Sequence, residues 1–192
     1  MNLFHEAGVV ILDFGSQYTQ LIARRIREQS VYSEILPANI RLSEIEERKP
    51  SAIILSGGQS SVFGDSAPKF DSTILDSDYP ILGICYGLQL LIHQSGGTVE
   101  STGSGEYGFA KLKVHNHDSL FKTIQDGTQV WMSHMDRVTH IPKEWTVLAE
   151  SENGVVASLA HENKKWVATQ FHPEVVHTIE GETILRNFLF DI

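Results

Sequence analysis

Short apolar runs closed by turn-forming residues recur through the first half of the chain. Residues 9–12 (VVIL), 52–55 (AIIL) and 81–84 (ILGI) contain no polar side chain. A strand with one wet face alternates, whereas an uninterrupted run suits a strand covered on both faces, as in a parallel sheet. Residues 33–37 (SEILP) read as a further strand. Between the runs the period changes. In 17–29 (QYTQLIARRIREQ) Leu21, Ile22 and Ile26 fall at helical spacing, which puts Arg24, Arg25, Arg27 and Glu28 on the surface. Residues 86–95 continue straight from the third run and read as a helix, and 181–190 read as a closing helix. The order strand, helix, strand, helix, strand, loop, strand, helix predicts a doubly wound α/β domain with a mostly parallel central sheet and flanking helices.

The second half has a different texture. Stretches 107–114, 128–133, 145–150, 154–160 and 166–171 are rich in Val, Thr, Trp and Phe, with Asp126-Gly127 and Asn153-Gly154 as turn signals. Asn-Gly between two strand-like runs predicts a hairpin, so a smaller antiparallel β portion is expected here. No repeat, low-complexity tract or linker interrupts the chain, and residues 1–192 read as one domain. The start, MNLFHEAGVVILDF, has no basic region before its apolar stretch, and Asp13 breaks that stretch. It reads as a first strand rather than a signal peptide.

Composition narrows the function. Of 192 residues 41% are hydrophobic and 20% charged, ordinary for a globular protein, and no run approaches the length needed to span a bilayer. A formal net charge of −9 argues against nucleic-acid binding, which needs a basic surface. The single cysteine excludes an intramolecular disulfide framework and a cysteine-cluster metal site, and a reducing cytoplasm is the expected setting. The nine histidines include no HExxH pair, so no metal is expected.

That one cysteine stands in Gly83-Ile84-Cys85-Tyr86-Gly87, between an apolar strand and a helical run. The frame G-x-nucleophile-x-G in strand–helix context is that of a nucleophile elbow. It would put Cys85 at a helix amino end, where dipole and free N–H groups favour thiolate, and the Tyr86 N–H could hold an oxyanion. A cysteine in an apolar run is otherwise a buried core residue. A thiol needs a base, and Phe171-His172-Pro173-Glu174 offers one. His172 can take the thiol proton and return it to a leaving amine, while Glu174 orients the ring.

GICYG at 83–87 with QFHPE at 170–174 resembles the class I, triad-type glutamine amidotransferases, and Ser56-Gly57-Gly58 resembles that family's oxyanion loop. DFGSQYTQLIARRIRE at 13–28, EYG at 106–108, VWMSHMD at 130–136, QFHPEVVHT at 170–178 and RNFLFDI at 186–192 are similar to its GMP synthetase branch. The resemblance implies a flavodoxin-like fold, with Cys85, His172 and Glu174 catalytic and the N–H groups of Gly58 and Tyr86 holding the oxyanion. It implies glutamine contacts from Gln89, Ser133, His134, Met135 and Asp136. It also implies hydrolysis of the glutamine side-chain amide through a thioester, with ammonia passed on for amination of xanthosine monophosphate. The acceptor part, an ATP pyrophosphatase domain or subunit, is absent from these residues. ATP and Mg²⁺ are expected on that partner, no cofactor on this chain, and a homodimer through the partner. Ser101-Thr102-Gly103-Ser104-Gly105 is too short for a phosphate loop and lacks its strand–helix context. The competing readings are a chorismate-type amidotransferase and a non-catalytic interaction module.

Three positions depart from the family pattern. Gln59 replaces a proline that would stiffen the oxyanion loop, so a looser loop is expected. Gly105 and Phe109 stand where arginines are usual, and a changed surface contact is expected there. Asp13 is expected to cap the following helix. His134 with Asp136 reads as pocket lining, not as a second catalytic pair. His177 is placed at a partner-facing border, and His5, His93, His115, His117, His140 and His161 carry no role.

Overall fold

The uninterrupted apolar runs become the central strands. The computed structural model describes residues 8–192, so His5 lies outside the described residues. The chain runs β1 (Val9–Phe14), α1 (Thr19–Glu28), β2 (Ser33–Pro37), α2 (Leu42–Glu46), β3 (Ala52–Gly58), β4 (Ile81–Ile84) and α3 (Tyr86–Gln94). It continues with β5 (Thr98–Val114), β6 (Gln129–His140), β7 (Trp145–Ser151), β8 (Val156–His161), β9 (Trp166–Thr169) and α4 (Gly181–Asp191). Short 3-10 turns lie at Ser72–Asp76 and Ser119–Phe121. No helix among the described residues is long and apolar enough to cross a membrane.

The strands form a single sheet in the order β2-β1-β3-β4-β9-β8-β7-β5-β6. Pairing is parallel from β2 through β9 and antiparallel from there to β6. Alternate residues of the parallel strands feed two separate cores, because successive side chains leave opposite faces of a strand. Val9 and Ile11 join Ile22 and Ile26 of α1 and Ile184, Leu185 and Phe188 of α4. Val10 and Leu12 join Ile45 of α2 and Leu88 and Leu91 of α3. Helices therefore cover both faces, which is why these strands carry apolar runs without alternation.

Several boundaries differ from the sequence reading. The strand expected at 107–114 begins at Thr98 and takes in the Ser/Gly-rich stretch, with a register shift between Ser101 and Glu106. Serine and glycine carry little strand propensity, but pairing with β6 overrides it. The strand expected at 128–133 runs on to His140. The strand expected at 166–171 stops at Thr169, where Gln170 and Phe171 leave the ladder. Asn153-Gly154 does turn between β7 and β8, with Gly154 at φ +74°.

This topology sets where chemistry can sit. β1 lies between β2 and β3, so the winding reverses there and the carboxyl ends of the strands border a crevice. The neighbouring parallel strands β3, β4 and β9 end at Gly58, Ile84 and Thr169. Gly58, Cys85 and the Gln170–His172 segment are thus delivered side by side.

Ile11 is fully buried in the α1/α4 core. Ile11→Ala is expected to lower unfolding free energy by about 2–5 kcal/mol, the range for such deletions, read as a lower urea midpoint at unchanged slope.

Candidate active site

Cys85 sits in the turn between β4 and α3 with φ 52° and ψ −101°, a conformation a non-glycine residue rarely adopts. The flanking glycines permit it by close packing. A Cβ on Gly83 would lie 2.6 Å from the Gly87 carbonyl carbon, and one on Gly87 would lie 2.4 Å from the Leu55 oxygen. Helix α3 therefore rests almost in contact with β3 and β4. The Cys85 N–H donates to the Thr169 carbonyl at 2.7 Å, which ties the turn to the end of β9. Cys85 is 4% exposed and lines a cavity of about 520 Å³.

His172 lines the same cavity. Its Nδ1 pairs with Glu174 Oε1 at 2.8 Å, and Glu174 is fully buried behind it. The loop holding this pair is stapled along β6. The His172 N–H donates to the Trp131 carbonyl at 3.1 Å, and the Thr178 hydroxyl donates to the His172 carbonyl at 2.6 Å. The Tyr18 ring stands edge-on to the imidazole at 5.2 Å. Burial opposes charge on His172, but the Glu174 carboxylate and Cys85 outweigh it and hold His172 well above the usual histidine range. His172 so placed beside the sulfur is suited to take up the thiol proton.

Arg25 has a different role from the one expected. Both Arg24 and Arg25 pair with Glu28, but Arg25 is only 26% exposed and its Nε also donates to the Glu174 carbonyl at 3.0 Å, whereas Arg24 is 73% exposed. Arg25 thus turns from the solvated face that Arg24, Arg27 and Glu28 share toward the 172–178 loop. Asp13 does not cap α1. Tyr18 occupies the cap position, and Asp13 instead accepts from the Gly15 N–H at 2.9 Å and the Thr19 hydroxyl at 2.8 Å.

Gly58, Gln89, Ser133, His134, Met135 and Asp136 all line the cavity with Cys85 and His172. Tyr86 turns its ring into the core against Phe14. Its N–H opens α3, where no intrahelical acceptor exists. Gln89 is buried, and its Nε2 donates to the Asp136 carbonyl at 2.9 Å. His134 and Asp136 do not form a catalytic pair. The His134 Nδ1–H donates to the Asp136 backbone carbonyl at 2.9 Å, and the Asp136 carboxylate accepts from the Ser61 hydroxyl. Burial holds His134 below the usual range against the opposing Asp136 carbonyl and Glu106.

The sequence reading anticipates only part of the rim. Gln59 is exposed at the cavity mouth. Gly105 is not a surface substitution, since a Cβ there would lie 2.4 Å from the His134 oxygen. β5 presses on the 134–135 backbone, and only glycine fits. Phe109 is a surface contact, 62% exposed, edge-on to Trp131 at 5.3 Å and tilted against His177 at 5.7 Å. Ser16, Gln17, Tyr18, Ser61 and Tyr107 also line the cavity, and Gln170 lies against the sulfur. Long-range packing brings most of these in and leaves no local signal. Gln170 is the exception, since it stands two residues before His172 in the same short block. Among the described residues no three His, Cys, Asp or Glu side chains are grouped for a metal.

Comparison with known proteins places the chain in a family. The family model for glutamine amidotransferase class-I matches residues 10–192. A glutamine-hydrolysing GMP synthase of Brachyspira hyodysenteriae is 50% identical over 184 residues, 96% of this chain and 36% of the relative. One from Desulfotalea psychrophila is 50% identical over 190 residues, 98% of this chain and 37% of the relative. The chain thus spans about a third of the length of the curated relatives it matches, 36% and 37% in these two. The solved structure of a candidate GMP synthase subunit from Thermoplasma acidophilum superposes with TM-score 0.86 at 32% identity, covering 96% of this chain and 93% of that one. A Thermotoga maritima glutamine amidotransferase gives TM-score 0.74 at 19% identity over 96% of this chain and 97% of that one, a likeness of fold alone.

His172 binds its proton more tightly in the folded state, and the stability sign follows. Protonation favours folding below the ordinary histidine value of about 6.5, and the benefit fades as pH rises through the raised folded value. Glu174→Gln removes the cause. The wild-type advantage over Glu174→Gln in urea melts is expected to be largest at about pH 6 and to shrink toward about pH 9. A gap that widened with pH would contradict the charge assignment.

Proposed function

Because the chain belongs to the class-I glutamine amidotransferase family, we propose that its cavity takes glutamine and that Cys85, His172 and Glu174 hydrolyse the side-chain amide. The observation that carries this reading is the elbow thiol in one cavity with an imidazole backed by a buried carboxylate. Cys85 Sγ attacks the amide carbon, and the oxyanion faces the N–H groups of Gly58 and Tyr86. His172 gives its proton to the departing nitrogen, which leaves as ammonia, and a thioester remains on Cys85. Water, losing a proton to His172, attacks the thioester and frees glutamate and the thiol. Gln89 and the 133–136 segment hold the substrate's amino-acid end, and no cofactor is needed for these steps.

The ammonia goes to a partner. The long relatives are glutamine-hydrolysing GMP synthases, so the acceptor we favour is xanthosine monophosphate, activated by ATP and Mg²⁺ on an ATP pyrophosphatase domain or subunit. Phe109 (62%), Val176 (74%) and Ile179 (67%) are exposed around Trp131 and His177. They flank the loop that carries His172 and Glu174, and this face is where we place the partner. A chorismate-type acceptor has no observation in its favour.

Two experiments test this reading. Cys85→Ala is expected to lower glutamate release from glutamine, measured with the synthetase partner present, by about 10³-fold or more. A loss under about tenfold would remove Cys85 as nucleophile. Phe109→Asp with Ile179→Asp is expected to weaken partner association about tenfold or more by titration calorimetry. Unchanged affinity would move the partner to another face.

A further inference from the structure

A chain of three amide groups connects the floor of the cavity to the sulfur. Gln89 Nε2 lies 2.9 Å from the Asp136 carbonyl and 3.3 Å from Gln170 Oε1, and Gln170 Nε2 lies 3.6 Å from Cys85 Sγ. Both glutamines are buried, at 4% and 0% exposure. The orientation of each amide follows from chemistry. A backbone carbonyl only accepts, so the Gln89 atom facing Asp136 must be its nitrogen. The Gln170 atom facing that nitrogen must then be oxygen, which leaves the Gln170 N–H₂ pointing at the sulfur. A flipped Gln170 would set two N–H₂ groups against each other and leave a buried donor unpaired, at a cost of about 1–3 kcal/mol.

We propose that Gln170 is a further catalytic residue, whose side-chain N–H, aimed by Gln89 and the Asp136 carbonyl, stabilises Cys85 as thiolate. Besides His172, two groups meet the sulfur and act in opposite directions. The Ser133 carbonyl, 3.6 Å away, accepts only from a protonated thiol. The Gln170 N–H favours the ionised sulfur, because a donor bonds more strongly to an anion than to a neutral acceptor. His172 holds the proton that leaves, and Gln170 faces the charge that remains. No bond between heavy atoms forms or breaks in this step; one proton moves from Sγ to the His172 ring.

The inference rests on Cys85 as the nucleophile, but its test does not need glutamine. Cys85 is the sole cysteine, so iodoacetamide labelling of the intact chain reports on one sulfur. Gln170→Glu keeps an acceptor for Gln89 and the volume of the side chain while removing the donor to sulfur. Its labelling rate at neutral pH is expected to fall about tenfold, with the pH–rate profile moved up by about one unit, equivalent to that factor. Gln89→Leu releases the aim of Gln170 and is expected to slow labelling less, about threefold. Its effect should vanish when Gln170 is already Glu, as residues acting in series do. If Gln170→Glu is poorly folded by thermal melting, Gln170→Met supplies the same readout without a donor or a charge. Labelling within twofold of wild type, with an unmoved profile in whichever variant folds, overturns the proposal. That result would leave glutamine hydrolysis by Cys85 untouched, so the two readings fail separately.

Discussion

The closeness of α3 to β3 and β4 governs the rest of the site. A Cβ on Gly87 has no room beside the Leu55 oxygen, and one on Gly83 has none beside the Gly87 backbone. That contact forces the turn at Cys85 into positive φ, a strain of about 1–3 kcal/mol that the packed surroundings must offset. Relaxing it would let α3 drift outward. The sulfur, the Tyr86 N–H and Gln89 would then move together, because all three ride on the first turns of one helix. Fully buried Ile84 and Leu88 on either side of the turn hold it in place.

His172 comes to Cys85 by a different device. The 170–178 segment belongs to no strand or helix, yet it is not loose. It borrows the β6 backbone through Trp131, the Thr178 hydroxyl and Gln129, and its far side is held by Arg25 from α1. Such borrowed pairing satisfies buried backbone groups that an irregular segment would otherwise leave orphaned. It also means that β6, from the antiparallel half, supplies both the His172 anchor and the 133–136 wall of the cavity. The antiparallel half is therefore part of the site, not an appendage to the parallel domain.

How much of this was legible varies with the range of the interactions. The buried parallel strands were readable because being covered on both faces leaves a continuous apolar run, and 33–37 and 81–84 coincide with β2 and β4. The elbow was readable because its glycines are spaced along the chain itself. β5 was shortened because its Ser/Gly-rich stretch pairs with β6, a strand some thirty residues on that leaves no local trace. Arg25 looked like one more surface cation, since its acceptor is a backbone carbonyl at Glu174, 149 positions on. Asp13 looked like a cap because aspartate before a helix usually is one. Its carboxylate is instead taken by Gly15 and Thr19, which shape the loop that carries Tyr18 onto His172.

Gly105 shows how a departure from a family pattern can mislead when only side chains are compared. An arginine lost from a surface suggests a lost contact. Here the relevant fact is backbone clearance, since β5 passes so near His134 and Met135 that any side chain would have to displace the 134–135 backbone. The Ser133 carbonyl on the 133–136 wall already touches the sulfur. A small shift there would change which atom the thiol faces. The glycine therefore sets a backbone clearance at the edge of the site, whereas Phe109, four residues on in the same strand, is 62% exposed.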